Sequence, residues 1–565
     1  MQTLTKDKYD KALAQLEAMP GVLLSSQGTD LPSEQYGRKV LLNDRAHPHS
    51  MAANLTHLDC VDVYGSTQLR TVQKSVVQES ILSPHVQEVM GVPNKWGPPK
   101  LTPNWRAYNE TLMHVINPPE MFRPALLLRA CRDWIKPLLQ VVNDTGYTAR
   151  PLTLMQSIIG VPGKRFLEAM PMSTGMGFPM FGPKNRHFTD VFEGGILVAR
   201  IPSDEIMFEY NRLYEAWSNK LRGYPVCSST LKDTPTDVES SKVRVFQASP
   251  VALSMHVRKY FLPIIRFLHL HPLMSESAVG LNCFGPEWEE VMDYAFKYSS
   301  DDVLGWDYSK YDVRMSSQIT TAVLDLYIEL AEAMGYDDND CEIMRMMVSD
   351  LVHPLLDFNG VLLMAFNMNP SGTPITVDVN GTAGSLYVRM GVFDACPEID
   401  DFRSKVACST YGDDFNGSNH ESIRDRFNFE IYKEFLTKHG MKITLPDKST
   451  ASSEFLKLDE IDFLKRKSAY IPEIGRKIGR LDEDSIFKSL HSNLKSRTQS
   501  NVQVAASCVE SAMHEWFAFG RDHYEMRREQ MKLVCARANM PLGILEKSFE
   551  DRVTHWKEMY LPKST

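Results

Sequence analysis

The stretch Val406-Ala407-Cys408-Ser409-Thr410-Tyr411-Gly412-Asp413-Asp414 decides how the rest of the chain is read. Val406 to Tyr411 has the composition of a strand and runs directly into Gly412-Asp413-Asp414. A glycine there lets the backbone turn tightly, as a hairpin requires. Adjacent carboxylates on such a turn repel one another and lose solvation, a cost that a bound cation offsets. Acidic surface turns share this pattern, so the residues around it must carry the argument.

Upstream, Val303 to Trp306 reads as a short strand ending at Asp307, within Gly305-Trp306-Asp307-Tyr308-Ser309-Lys310-Tyr311-Asp312. One carboxylate at a strand end and another five residues on can place the first at a metal and the second nearby. Two metals about 3.5–4 Å apart would activate a 3′-hydroxyl and stabilise a leaving pyrophosphate. A helix is expected next, with Ile319, Val323, Leu326, Leu330 and Met334 on one face. Asp312 could equally be the N-cap of that helix.

Gly360 to Phe366 is expected as a strand, and Pro370-Ser371-Gly372 as a loop. Ser371-Gly372 would open a helix carrying Val379, Ala383, Leu386 and Met390. Thr376 and Asn380 stand four apart, on one face of that helix. Short hydroxyl and amide groups so placed can read a ribose. Capping by Ser371 and a solvent-facing Asn380 would also fit. Beyond Ser485 the pattern is mainly helical, so the acidic residues sit at strand ends in an α+β middle.

Composition narrows the classes. The 565 residues, 43% hydrophobic, can bury a large core divided among several subdomains. The nine cysteines form no Cys-x-x-Cys pair, which argues against a disulfide framework or a zinc site and for reduced thiols. Met1 to Pro20 has no apolar signal core, and Phe261 to Met274 is too short and too interrupted to span a membrane. A net charge of −9 weighs against nucleic acid, but Lys465, Arg466, Lys467, Arg476, Lys477 and Arg480 cluster locally. That cluster alone reads more readily as a solvated surface.

Taken together, the segments resemble motifs A, B and C of the picornavirus-like RNA-dependent RNA polymerases: Asp-x4-Asp, Ser-Gly-x3-Thr-x3-Asn and Tyr-Gly-Asp-Asp. Leu445-Pro446-Asp447-Lys448-Ser449 is similar to motif D, whose lysine is proposed to protonate the pyrophosphate. Phe463-Leu464-Lys465-Arg466 resembles motif E, the primer grip. Lys232-Asp233 and Lys242-Val243-Arg244 resemble motif F, and Thr174-Gly175-Met176-Gly177-Phe178-Pro179 motif G beside the template entrance. Unlike the picornavirus pattern, Asp233 to Ser241 holds no basic residue, and Phe415-Asn416-Gly417-Ser418 is unusually polar.

The resemblance implies a closed right-hand α+β fold of fingers, palm and thumb, the palm an antiparallel sheet packed on helices. Fingers and fingertips with an unassigned N-terminal extension are expected over 1–261, palm over 262–471 with about 343–368 returning to the fingers, and a helical thumb over 472–565. It further implies that Asp307 and Asp413 bind two Mg2+ ions, with Asp414 assisting and Mn2+ able to substitute. Lys448 would act in catalysis. Asp312, Ser371, Gly372, Thr376 and Asn380 would recognise the ribose, and Lys232, Lys242 and Arg244 the triphosphate. Thr174, Gly175, Phe463, Leu464, Lys465 and Arg466 would meet RNA. The implied reaction is RNA-templated RNA synthesis from nucleoside triphosphates for a positive-strand virus, in replication complexes of the host cytoplasm. A viral protein primer and other replication proteins are partners the resemblance allows. Two other readings stay open: a reverse transcriptase, which would carry an aromatic residue where Asp312 stands, and a non-catalytic viral RNA-binding component.

Overall fold

A computed structural model of the chain describes residues 61–561 apart from 67–73, 102–104, 118, 181, 241, 449–452, 497 and 541. The expectations for Met1–Pro20 and Ser449 lie outside the described residues. At the centre is a four-stranded antiparallel sheet, in the order Val406–Tyr411, Asp414–Asn419, Val303–Tyr308, Ile443–Thr444. Tyr411 pairs with Asp414, so Gly412 and Asp413 form the two-residue turn. Gly412 has φ 64°, the left-handed geometry that primed hairpin turns place at their first central residue.

Helices Pro286–Ala295, Thr376–Ala395 and Phe429–Lys438 pack on this sheet. Trp306 stacks on Phe415 with ring centroids 4.0 Å apart, which aligns the strand of Asp307 with the hairpin. The polarity of the strand after Asp414 also finds its reason. Ser418 Oγ donates to Ala295 O at 2.8 Å and Asn419 Nδ2 to Phe427 O at 2.6 Å, so these buried polar groups fasten the sheet to its surroundings.

Beneath the sheet, Arg389 is fully buried and makes paired 2.7 Å bonds to Glu276 and a third to Asp133. The two arginines Arg389 and Arg403 hold Glu276 at about 2 against the opposing effect of its burial. The Glu276 backbone carbonyl accepts from the Thr410 amide at 2.8 Å, so this ion network braces the strand leading into the acidic turn.

A second, mixed sheet has the order Val61–Ser66, Val361–Ala365, Leu355–Asp357, Val226–Leu231, Val245–Ala248. Residues 355–365 thus join strands from the N-terminal half, with the Leu355–Asp357 strand parallel to Val226–Leu231. The division expected at 261/262 falls inside the unbroken helix Val251–Leu270, because its apolar residues are buried along the whole length.

The C-terminal helices Glu483–His491, Asn501–Trp516, Arg521–Arg537 and Phe549–Tyr560 enclose a separate core. Leu82, Val86 and Trp96 belong to that core although they come from the other end of the chain. Strand Val77–Glu79 pairs with Ser492–Leu494, and Lys95 meets Asp484 at 2.6 Å. The early chain therefore ties the N-terminal half to the C-terminal helices. Among the described residues no helix is long and apolar enough to cross a membrane, and the eight described cysteines are free.

Candidate active site

Asp307 lies near the end of its strand opposite Thr444, one strand away from the turn that carries Asp413. Burial pushes the Asp413 carboxyl above its usual range; Asp307 pushes it further, and Arg244 opposes the rise. Asp414 is pushed up to about 7, first by burial and then by Asp413. Its Oδ2 accepts from the Leu464 amide at 3.2 Å. Asp414 thus joins the acidic turn to the expected primer grip.

The donor set suits a hard divalent cation. Among the described residues no three His, Cys, Asp or Glu side chains form a ready-made cage. Mg2+ does not need one, since it is commonly held by one or two carboxylates, with water and substrate phosphates filling the other positions. A largely buried carboxylate on the hairpin turn, its charge disfavoured by burial and by Asp307 on the neighbouring strand, fits that role.

This arrangement has a testable cost. A raised carboxyl binds its proton more tightly folded than unfolded, so stability falls as pH rises from the ordinary value near 3.8 through about 7. With divalent ions chelated, Asp414→Asn should melt roughly 2 °C or more above the unsubstituted protein at pH 8, the gap closing towards pH 4. Equal melting temperatures at pH 8 would show that Asp414 carries no such penalty.

Cationic groups ring the acids. Lys448 Nζ stands 3.9 Å from Asp307 Oδ2, with its side chain 74% exposed. Burial lowers the pKa of Lys242, and Lys310, Arg244 and Lys448 lower it further, so these four bases share one field. Lys310, not singled out by the sequence reading, takes φ 57° in the loop after Asp307. A second group combines Lys232, Lys465 and Lys488: burial lowers the pKa of Lys488, and the other two add to the effect. Lys488, on the helix Glu483–His491, was also missed, because nothing local marks it.

Asp312 is not a helix cap. The helix begins at Ser317 with Ser316 as its cap, whose Oγ accepts from Gln318 N. The Asp312 Oδ1 accepts from the Val313 amide at 3.0 Å; burial raises its pKa, with Asp413 adding to the rise and Arg244 opposing it. The helix expected to open at Ser371 starts at Thr376. Thr376 Oγ1 lies 2.6 Å from Pro370 O and 2.9 Å from Thr373 O, so it shapes the loop from within. Ser371 Oγ accepts from the Gln247 amide at 3.2 Å and lies 3.3 Å from Gln247 Oε1. A Cβ on Gly372 would come within 2.2 Å of Gln247 O, so only glycine lets the loop sit this close to the Val245–Ala248 strand. Asn380 Oδ1 accepts from Asn369 Nδ2 at 2.8 Å.

Several expected RNA contacts are otherwise engaged. Arg466 forms paired 2.7 Å bonds to Glu515; of the other bases in the 465–480 cluster, Arg476 pairs with Glu289 and Lys477 with Asp293. Phe463 is core and the Leu464 amide binds Asp414, which leaves Lys465 as the exposed cation of that segment. In the 174–184 loop, buried Lys184 donates to Thr174 Oγ1 and to Gly175 O, and burial lowers its pKa to about 8. Thr174 and Gly175 are therefore held from behind by a lysine that the sequence reading passed over.

Residues 155–528 match the family model described as viral RNA-dependent RNA polymerase. The replicase polyprotein of Drosophila C virus is 25% identical over 435 residues, 73% of this chain and 24% of that protein. The RNA1 polyprotein of Cowpea mosaic virus is 25% identical over 405 residues, 68% of this chain and 21% of that protein. The chain thus spans about a quarter or less of these two polyproteins. In fold it resembles a Sicinivirus 3Dpol RNA-dependent RNA polymerase, with TM-score 0.67 and 18% identity, covering 89% of this chain and 99% of that one. The expected right-hand fold is borne out, and the chain belongs to the viral RNA-dependent RNA polymerases.

Proposed function

We propose that this chain extends RNA on an RNA template, transferring a nucleoside monophosphate from a triphosphate to a 3′-hydroxyl and releasing pyrophosphate. The observation that carries this reading is the pair Asp307, on its strand, and Asp413, on the turn of the adjoining hairpin, ringed by Lys242, Arg244, Lys310 and Lys448. Two divalent cations, Mg2+ in the first instance, would supply activation of the hydroxyl and charge neutralisation at the leaving oxygen. Asp307 and Asp413 would hold them, while Asp414 keeps the turn in register with the 463–466 loop. Arg244 and Lys242 face the same acids and would orient the triphosphate; Asp312, Ser371 and Asn380 would read the sugar. A 2′-hydroxyl is the group by which a protein distinguishes RNA from DNA precursors.

In this reading residues 355–365 belong with the fingers, the Val303–Tyr308 sheet is the palm, and the C-terminal helices are the thumb. The setting is the host cytoplasm, within replication complexes. Incorporation of labelled ATP on a poly(U) template with an oligo(A) primer and Mg2+ is the direct test. No incorporation under any divalent ion would favour a non-catalytic RNA-binding role, and a preference for dATP would favour reverse transcription.

RNA binding should also weaken steeply with salt despite the negative net charge, because Lys232, Lys465 and Lys488 would displace counterions from phosphates. Engaging even three phosphates gives a slope of about −2 to −3 in log affinity against log salt. A flat dependence would remove this cluster from the RNA path.

A further inference from the structure

We infer that Asn369 is a positioning residue that fixes Asn380 as a hydrogen-bond donor towards the sugar of the incoming nucleotide. The inference rests on the proposed ribose-reading role of Asn380. An asparagine amide offers an acceptor on one side and two donors on the other, and which side faces a ligand decides what it recognises. Here the neighbours decide the orientation. Asn369 Nδ2 lies 3.3 Å from the Thr376 carbonyl oxygen, which can only accept, so the nitrogen of the Asn369 amide must be the atom on that side.

The same Nδ2 then donates its other hydrogen to Asn380 at 2.8 Å, and the atom that receives it must be Oδ1. The acceptor of Asn380 is thereby turned inward. Its Nδ2 has no partner among the described residues and is left to donate. Asn369 and Asn380 are both buried, and the Asn369 backbone N–H donates to the Asp312 backbone carbonyl at 2.9 Å. Asn369 thus joins the aspartate loop, through its backbone, to the helix that carries Asn380, through its side chain, and the chemistry of that side chain sets the polarity of the reader. A 2′-hydroxyl can accept from the oriented Nδ2, and a 2′-hydrogen cannot. Asn369 lies before Pro370, where the sequence suggests only a turn.

The test compares ATP and dATP in single-turnover extension by the full chain, unsubstituted and with Asn380→Ala, Asn369→Leu and the double substitution. Leucine keeps the branched shape of asparagine but cannot hold the Asn380 amide in one orientation. Asn369→Leu should lower the efficiency for ATP about tenfold, the loss of one oriented hydrogen bond, and leave dATP unchanged. Adding it to Asn380→Ala should cost nothing more. Asn369→Asp, which presents only acceptors to Asn380, should lower ATP use at least as far. Equal losses for ATP and dATP in Asn369→Leu would show a general packing role and overturn the inference. So would an unchanged ratio in Asn369→Leu alongside a changed ratio in Asn380→Ala. An unchanged ratio in Asn380→Ala itself would instead overturn the ribose-reading role on which the inference depends.

Discussion

Asp413→Ala should reduce nucleotide addition by roughly 10³-fold or more, with the fold and RNA binding nearly unchanged. Losing an anchor for a catalytic cation forfeits several kcal/mol of transition-state stabilisation, and each 1.36 kcal/mol is a tenfold loss in rate. The fold should survive because Asp413 sits on a two-residue turn and makes no bond that closes the sheet; Tyr411 and Asp414 pair around it. Its carboxylate is already disfavoured by burial and by Asp307, so removing the charge relieves repulsion. RNA affinity should persist because the Lys232, Lys465 and Lys488 group does not include it. Measuring extension, melting temperature and RNA affinity on one preparation separates these effects. Turnover at a substantial fraction of the unsubstituted rate would sink the two-metal assignment.

What the sequence made legible was what neighbours along the chain determine. The Val406–Tyr411 strand has the limits expected of it, and Ile319, Val323, Leu326 and Leu330 are buried along one helix, as their spacing required. The acidic turn was readable because its glycine and its two carboxylates are adjacent. What stayed unread has a common physical cause: partners distant in sequence. Nothing in the basic cluster at 465–480 announces that Glu515, Glu289 and Asp293 pair with three of its members. That residues 77–97 join the C-terminal core was not legible, because their partners there lie some 400 positions away; Gln78, for example, binds Asn493.

The start of the motif B helix was misplaced for a more local reason. The Ser371-Gly372 pair resembles a helix opening, but the Thr376 hydroxyl holds the Pro370 and Thr373 carbonyls and keeps the intervening residues as turns. Lys310 and Asn369 carry no pattern of their own. Their importance comes from what the fold places beside them.

Lys448→Leu should slow single-turnover addition by about 10²–10⁴-fold, the contribution of a well-placed general acid, while changing triphosphate affinity little. As the bond to pyrophosphate breaks, negative charge builds on the leaving oxygen, and a lysine at neutral pH has a proton to give. A solvated surface lysine would lie away from the acids. Lys448 is largely exposed, yet its Nζ is 3.9 Å from Asp307 Oδ2 and within the field that also reaches Lys242. That separation is longer than a hydrogen bond, so the ammonium is close without being locked to Asp307. Its backbone is fixed more firmly: φ is 63°, and the amide donates to Leu445 O at 2.8 Å. This short turn follows the Ile443–Thr444 strand, which pairs with Asp307, so the sheet that holds Asp307 also sets the height of Lys448. Lys448→Arg keeps the charge but is a poorer proton donor, and it should recover only part of the rate. A charge that merely attracted the triphosphate would behave differently: leucine would weaken affinity, and arginine would restore it fully. Near-normal single-turnover rates for Lys448→Leu would exclude the lysine as the acid and leave water to protonate the leaving group.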